Sequence, residues 1–205
     1  MIEDLLIVVG VLFAGLVGFE VLARITAIPQ HLMRKIIHVG MCLLVVGFTF
    51  IFDYKVMFGT GLIFTAILLI ARKVFIFHSL RDRHTESWGE FLFPLGIAIS
   101  AYTAGTQEIF IAAMLILAFS DTAAYVIGKR YPRSTQIIPH RTIAGSGAGF
   151  ITSMVILLVL PFSLQVVFLT AVAVAIAEIV SHKGFDNLTM PVVAAIVLTC
   201  LTTFL

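Results

Sequence analysis

Charge is scarce in this chain. Asp, Glu, Lys and Arg make up only 12% of its 205 residues, whereas hydrophobic residues make up 60%. A soluble domain carries about 25% charged residues, so a water-soluble fold with a covered core is excluded, as the mean hydropathy of +1.13 also indicates. Cysteine is nearly missing. Cys42 and Cys200 both sit inside apolar runs, which leaves no disulfide or metal framework and no statement about redox compartment. The first apolar run follows Glu3 and Asp4 with no basic segment before it and no small-residue cleavage site after it, so it is expected to be a retained span. Internal repeats, low-complexity stretches and linkers are absent, so residues 1–205 read as a single membrane domain. Barrel-type alternation is absent too, leaving helices as the way to satisfy backbone polar groups in lipid.

What is present is a series of apolar runs. They extend over Leu5 to Ala23, Ile36 to Phe52, Val56 to Ala71, Phe91 to Thr103, Ile109 to Ile127, Ala148 to Leu160, Leu164 to Val180 and Met190 to Leu205. This predicts an all-α, polytopic transmembrane bundle of seven or eight spans, each needing about 20 residues to cross about 30 Å of hydrocarbon. The fourth and sixth runs are short enough to be tilted or re-entrant. If all eight span, Arg24, Arg34, Lys35, Arg72, Lys73, Arg81, Arg83, Lys129, Arg130, Arg133, Arg141 and Lys183 fall on one side, and only Lys55 on the other. The positive-inside rule then puts the basic loops in the cytoplasm and both termini outside.

Polar motifs gather on the basic side. Arg34, Lys35 and His38 share a helical face at the start of the second run, an arrangement suited to polyphosphate or, for the two cations alone, to anchoring the span. Asp121 lies late in an apolar helix, where an ionisable residue is functional by default. Lys129 and Arg130 follow it by about two turns. Next come His140, Arg141 and Thr142, leading through Gly145, Ser146 and Gly149. Glycines admit close approach of backbone N–H groups to oxygens, and a helix N-terminus favours anions; Gly145 and Gly149 also have the spacing of a helix-packing pair. Glu178 ends the seventh run, and Asp186 and Asn187 precede the last. These oxygens suit a divalent cation, or for Asp186 and Asn187 a helix cap with Pro191 behind it. Trp88, Gly89, Glu90 and Pro94 mark a constrained start to the fourth run, where Glu86 and Glu90 offer further carboxylates. The whole pattern suits a triphosphate with magnesium.

In these residues the chain resembles the CTP-dependent lipid alcohol kinases, the group of phytol, dolichol and diacylglycerol kinases. The motifs that carry the likeness are Arg34-Lys35-His38, Gly89-Phe93-Pro94, Asp121-Ala124-Gly128-Lys129, Arg141-Thr142-Gly145-Ser146 and Asp186-Asn187-Pro191. Two positions depart from the family pattern. Arg141 stands where the family has lysine, and Ala144 where it has glutamate, so that acid's role would fall to Glu178 or Glu86. The resemblance implies transfer of the terminal phosphoryl group of CTP, with Mg2+, to a lipid alcohol in a membrane, with no nucleic acid partner. Asp121, His38, Glu178 and Asp186 would be catalytic. Arg34, Lys35, Lys129, Arg130, His140, Arg141, Thr142, Gly145 and Ser146 would bind phosphate, and Asp121, Asp186 and Asn187 the metal. The central motifs are also similar to phosphatidate cytidylyltransferase, but its glycine- and histidine-rich ending is missing. A small transporter is the non-enzyme alternative; its site would lie near the bilayer midplane, whereas the acids here lie toward one end of the spans.

Overall fold

The structure, a computed structural model, describes residues 2–74, 87–138 and 141–204. Among these, eight helices follow one another: α1 (Ile2–Ile25), α2 (Gln30–Phe48), α3 (Val56–Val74), α4 (Gly89–Thr103), α5 (Gln107–Arg130), α6 (Ile143–Val159), α7 (Leu164–Val180) and α8 (Asp186–Phe204). Each apolar run became a helix. The fold is all-α, with one small two-stranded antiparallel hairpin of β1 (Gln136–Ile138) and β2 (Arg141–Thr142) between α5 and α6. It forms where the chain has left the bundle, so the strands can pair with each other without displacing helix packing.

By length and composition α1, α2, α5 and α8 are able to cross a membrane, while apolar helices at Val56–Ala71, Ile143–Val159 and Leu164–Val180 are shorter. α4 has 15 residues, about 22 Å at 1.5 Å per residue, less than a full hydrocarbon core. It tolerates this because it is largely walled in by α3 and α8. Gly61 of α3 fits against the Pro94 carbonyl and Ala98, and Gly96 of α4 against the Asn187 carbonyl. A side chain at either glycine would force the helices apart. α5 is buried along most of its length, with Phe110, Ala112, Ala113, Met114, Ile116, Leu117 and Ala118 all inaccessible, which is why its sequence is apolar all round. α1 is the opposite case. It buries one stripe, Val8, Leu12, Leu16 and Glu20, and exposes Ile7, Val11, Val17 and Val21.

Hydrogen bonds knit each end of the bundle separately. At one end the Trp88 N–H donates to Lys183 O (2.9 Å), and Asn187 Nδ2 donates to Gly89 O (3.0 Å). At the other, Tyr54 Oη donates to Ala104 O (3.0 Å), Gln107 Nε2 to Thr49 O (2.9 Å), and the Gly105 N–H to Thr199 Oγ1 (3.0 Å). The first end holds the motif residues, and Lys55 lies beside the second.

Candidate functional site

Asp121 owes its position to an irregularity in α5. Residues Ile116–Ser120 form a π-helical turn directly before it, a distortion common at functional sites. The widened turn offers carbonyls to other groups. Thr122 Oγ1 donates to Ala118 O (2.6 Å), and His38 donates from Nε2 to Leu117 O (2.9 Å). The Asp121 carboxylate, 3% exposed, then meets two groups of α2: Lys35 Nζ at 2.5 Å and His38 Nε2 at 3.6 Å. The shared face predicted for Arg34, Lys35 and His38 is what allows this. Phe93 of α4 packs on the His38 ring at 4.9 Å, and Lys35 also lies over the Tyr125 ring at 5.1 Å.

A second charged group forms around Arg141. Its Nη1 donates to Glu178 Oε1, while Nη2 donates to Asp186 Oδ2 (2.8 Å) and Ser181 O (3.3 Å). Ser146 Oγ binds the other Glu178 oxygen at 2.9 Å. Burial alone would lower the pKa of the guanidinium, but Asp186 and Glu178 outweigh it and raise the pKa above its ordinary value. The Asp186 carboxylate also accepts from the Asn187 N–H (3.0 Å). The turn before Asp186 needs Gly184, which has φ +88° and whose Cα lies where any side chain would strike the Gly89 backbone.

Both groups open onto one cavity of about 1000 Å3. Its charged end is lined by Arg34, Lys35, His38, Asp121, Arg141, Asp186 and Asn187, joined by Glu90, Tyr125, His31 and Gln30. Five chain segments thus converge, as phosphate and a divalent cation would require. His31 and Gln30 carry no signal in type or spacing that sets them apart from juxtamembrane polar residues, whereas Tyr125 lies four residues after Asp121 on the same helical face.

The structure places several of the expected site residues away from the cavity. Glu178, expected to be catalytic, is 3% exposed, does not line the cavity and spends both oxygens on Arg141 and Ser146. It positions Arg141. The departure at Ala144 is thereby explained in part, because Glu178 brings a carboxylate to the same motif from another helix. Ser146, Thr142 and Gly145, expected to bind phosphate, do not line the cavity either. Thr142 caps α6 by accepting from the Gly145 N–H (3.1 Å), and a Cβ on Gly145 would lie 2.8 Å from Ala124 O and 3.1 Å from Gly128 Cα. The glycine-rich stretch is therefore the first turns of α6 packed on α5, with its leading N–H groups already used. Lys129 and Arg130 are exposed beyond the cavity, Lys129 Nζ lying 5.7 Å from the Tyr125 ring centre. Asn187 commits its amide nitrogen to Gly89. Among the described residues no three His, Cys, Asp or Glu side chains converge as metal ligands. His140, Glu86, Arg81, Asp82 and Arg83 lie outside the described residues.

No family model and no solved structure matches the chain. A curated protein does: the phytol kinase of Synechocystis sp. is 28% identical over 192 aligned residues, covering 87% of this chain and 82% of that protein. The likeness supports a family relationship between this chain and phytol kinase.

Proposed function

We propose that the protein is an integral membrane kinase that transfers the terminal phosphoryl group of CTP to the hydroxyl of a lipid alcohol of the phytol, polyprenol or dolichol type. The observation that carries this reading is the single cavity in which two carboxylates, Asp121 and Asp186, each meet a cation of the same wall, Lys35 and Arg141. Both pairs are ready to exchange partners. A phosphate chain would take the two cations, and a divalent cation the two carboxylates, so each buried charge would exchange one partner for another of the same sign.

Magnesium, when bound, supplies neutralisation of charge on the transferring phosphoryl group. It commonly takes only one or two protein carboxylates and completes its shell with phosphate oxygens and water, so Asp121 and Asp186 fit it. Asn187 could add its Oδ1, since the bond to Gly89 O uses only its Nδ2. Lys35, Arg34 and Arg141 orient the phosphates, and Glu178 holds Arg141 in place from behind. His38 in its neutral form donates its Nε2 proton to Leu117 O, so that nitrogen has no lone pair to offer. Asp121 is the proposed acceptor for the hydroxyl proton, through a carboxylate oxygen that the ion does not hold. The basic loops face the cytoplasm in this reading, with eight spans and both termini outside.

The test is product analysis. With terminal-phosphate-labelled CTP and a panel of lipid alcohols, label is expected in the organic phase, and with alpha-labelled CTP it should stay aqueous. The reverse pattern with a lipid phosphate acceptor would replace the kinase by a cytidylyltransferase.

A further inference from the structure

The cavity does not stop at its charged groups. Beyond His38 it continues between α1, α2, α3 and α4 as an apolar arm lined by Leu12, Leu16, Met41, Val45, Phe64 and Ile97. Val45 lies seven residues past His38 on α2, a further depth of about 10 Å at the helical rise. The one hydroxyl on this wall, Thr60 Oγ1, donates to Val56 O (3.0 Å) within its own helix. Among the described residues the arm offers no free polar group, and a site lined by such side chains stays dry. Protein interiors contain few voids larger than a water molecule, so an apolar space of this size, opening onto a charged site, is built for an occupant.

On the reading of the site as a lipid alcohol kinase, we infer that this arm receives the tail of a single-chain alcohol, held lengthwise inside the helix bundle. The hydroxyl sits at Asp121, and about the first eight carbons run toward the opposite end of the bundle, a length that follows from about 1.2 Å per bond in an extended chain. The tail therefore does not lie in the lipid beside the protein. A single chain is favoured by volume. About 1000 Å3 is the upper end of what one bound ligand occupies, and the charged end must also hold the phosphates of the donor. The arm between α1, α2, α3 and α4 is thus sized for one chain, and a diacylglycerol would need room for a second. Because lipid is as apolar as the arm, selection here works by shape rather than by hydrophobic transfer. Val45 and Leu12 then set how the tail is accommodated.

Photolabelling tests this without depending on activity. The protein in phosphatidylcholine vesicles is exposed to a single-chain prenyl alcohol bearing a diazirine about eight carbons from its hydroxyl. Label is expected on Met41, Val45 or Leu12, and unlabelled prenyl alcohol should compete it away while diacylglycerol should not. Label confined to the outward residues Val11 and Val17, or equal competition by diacylglycerol or by added phosphatidylcholine, would overturn the inference. In parallel, Val45→Phe and Leu12→Phe narrow the arm from two sides. Each should raise KM for the prenyl alcohol about tenfold, the scale of shape discrimination in an apolar pocket, with KM for CTP unchanged. Unchanged KM for the alcohol in both folded variants would also overturn it. Arm labelling with no phosphoryl transfer would keep the tail site and sink the kinase reading; transfer with label only on the outer face would do the opposite.

Discussion

At the level of single residues the charged groups divide by whether they face the cavity. Asp121 faces it and pairs with Lys35, so Asp121→Asn keeps the shape and removes the charge. Turnover in that variant is expected to fall by at least about 100-fold, the scale of losing one preorganised electrostatic group, with folded protein recovered at the normal yield. Phosphotransfer and a size-exclusion profile on the same preparation check both halves. Glu178 does not face the cavity, and its variants should behave differently. Glu178→Ala removes one of the two carboxylates on Arg141 and should cost about 1–3 kcal/mol of stability, read as a lowered thermal midpoint. Glu178→Gln keeps a hydrogen-bond acceptor for Arg141 and Ser146 and should fold. Its loss should appear mainly as a raised KM for CTP, since the displaced group is the guanidinium that orients phosphate. A pure kcat defect with unchanged KM would return Glu178 to a direct catalytic role.

Among the elements, the contact of α5 with α6 is one that a single side chain would break. Gly145 and Gly149 let the two backbones approach, and the atoms that a side chain at Gly145 would meet are a carbonyl and a Cα, neither of which can swing aside. Gly145→Val is expected to cost about 1–3 kcal/mol, as overpacking does, and to reduce activity by shifting Asp121 relative to Arg141. Gly147, two residues on, has open space where a Cβ would go. Gly147→Ala should therefore leave activity intact and gain about 0.5–1 kcal/mol from backbone entropy. Thermal unfolding of the two variants in one detergent decides the point: equal destabilisation would mean that the close approach is not what holds these helices.

For the whole molecule the consequence concerns sidedness. The motif end and the end bearing Lys55 are knit by different hydrogen bonds, so the two should face opposite sides of a membrane. In a background lacking Cys42 and Cys200, Arg133→Cys and Lys55→Cys place single thiols at exposed positions of the two ends. A membrane-impermeant maleimide added to intact cells should modify position 55 only, and position 133 only after the membrane is opened. Modification of both from outside would remove the eight-span arrangement.

The sequence by itself determined the helices and the end at which the chemistry gathers. Apolar runs and the loops between them are local facts, and lipid leaves a run of about 20 apolar residues little choice but a helix. The shared face of Arg34, Lys35 and His38 and the place of Asp121 inside an apolar helix were legible for the same reason. Only the tertiary structure decided which carboxylate meets which cation. Asp121 pairs with Lys35 because α2 lies against the π-helical turn of α5, and Glu178 lies behind Arg141 because α7 turns that face away from the cavity. Neither rotation is encoded in spacing along one helix. Nor could the glycine-rich stretch be divided between phosphate binding and packing until the position of α5 was known. The apolar arm was the least legible of all: Leu12, Val45 and Phe64 are ordinary residues of apolar helices, and a space between helices is set by how the helices pack, not by the type of any residue along them.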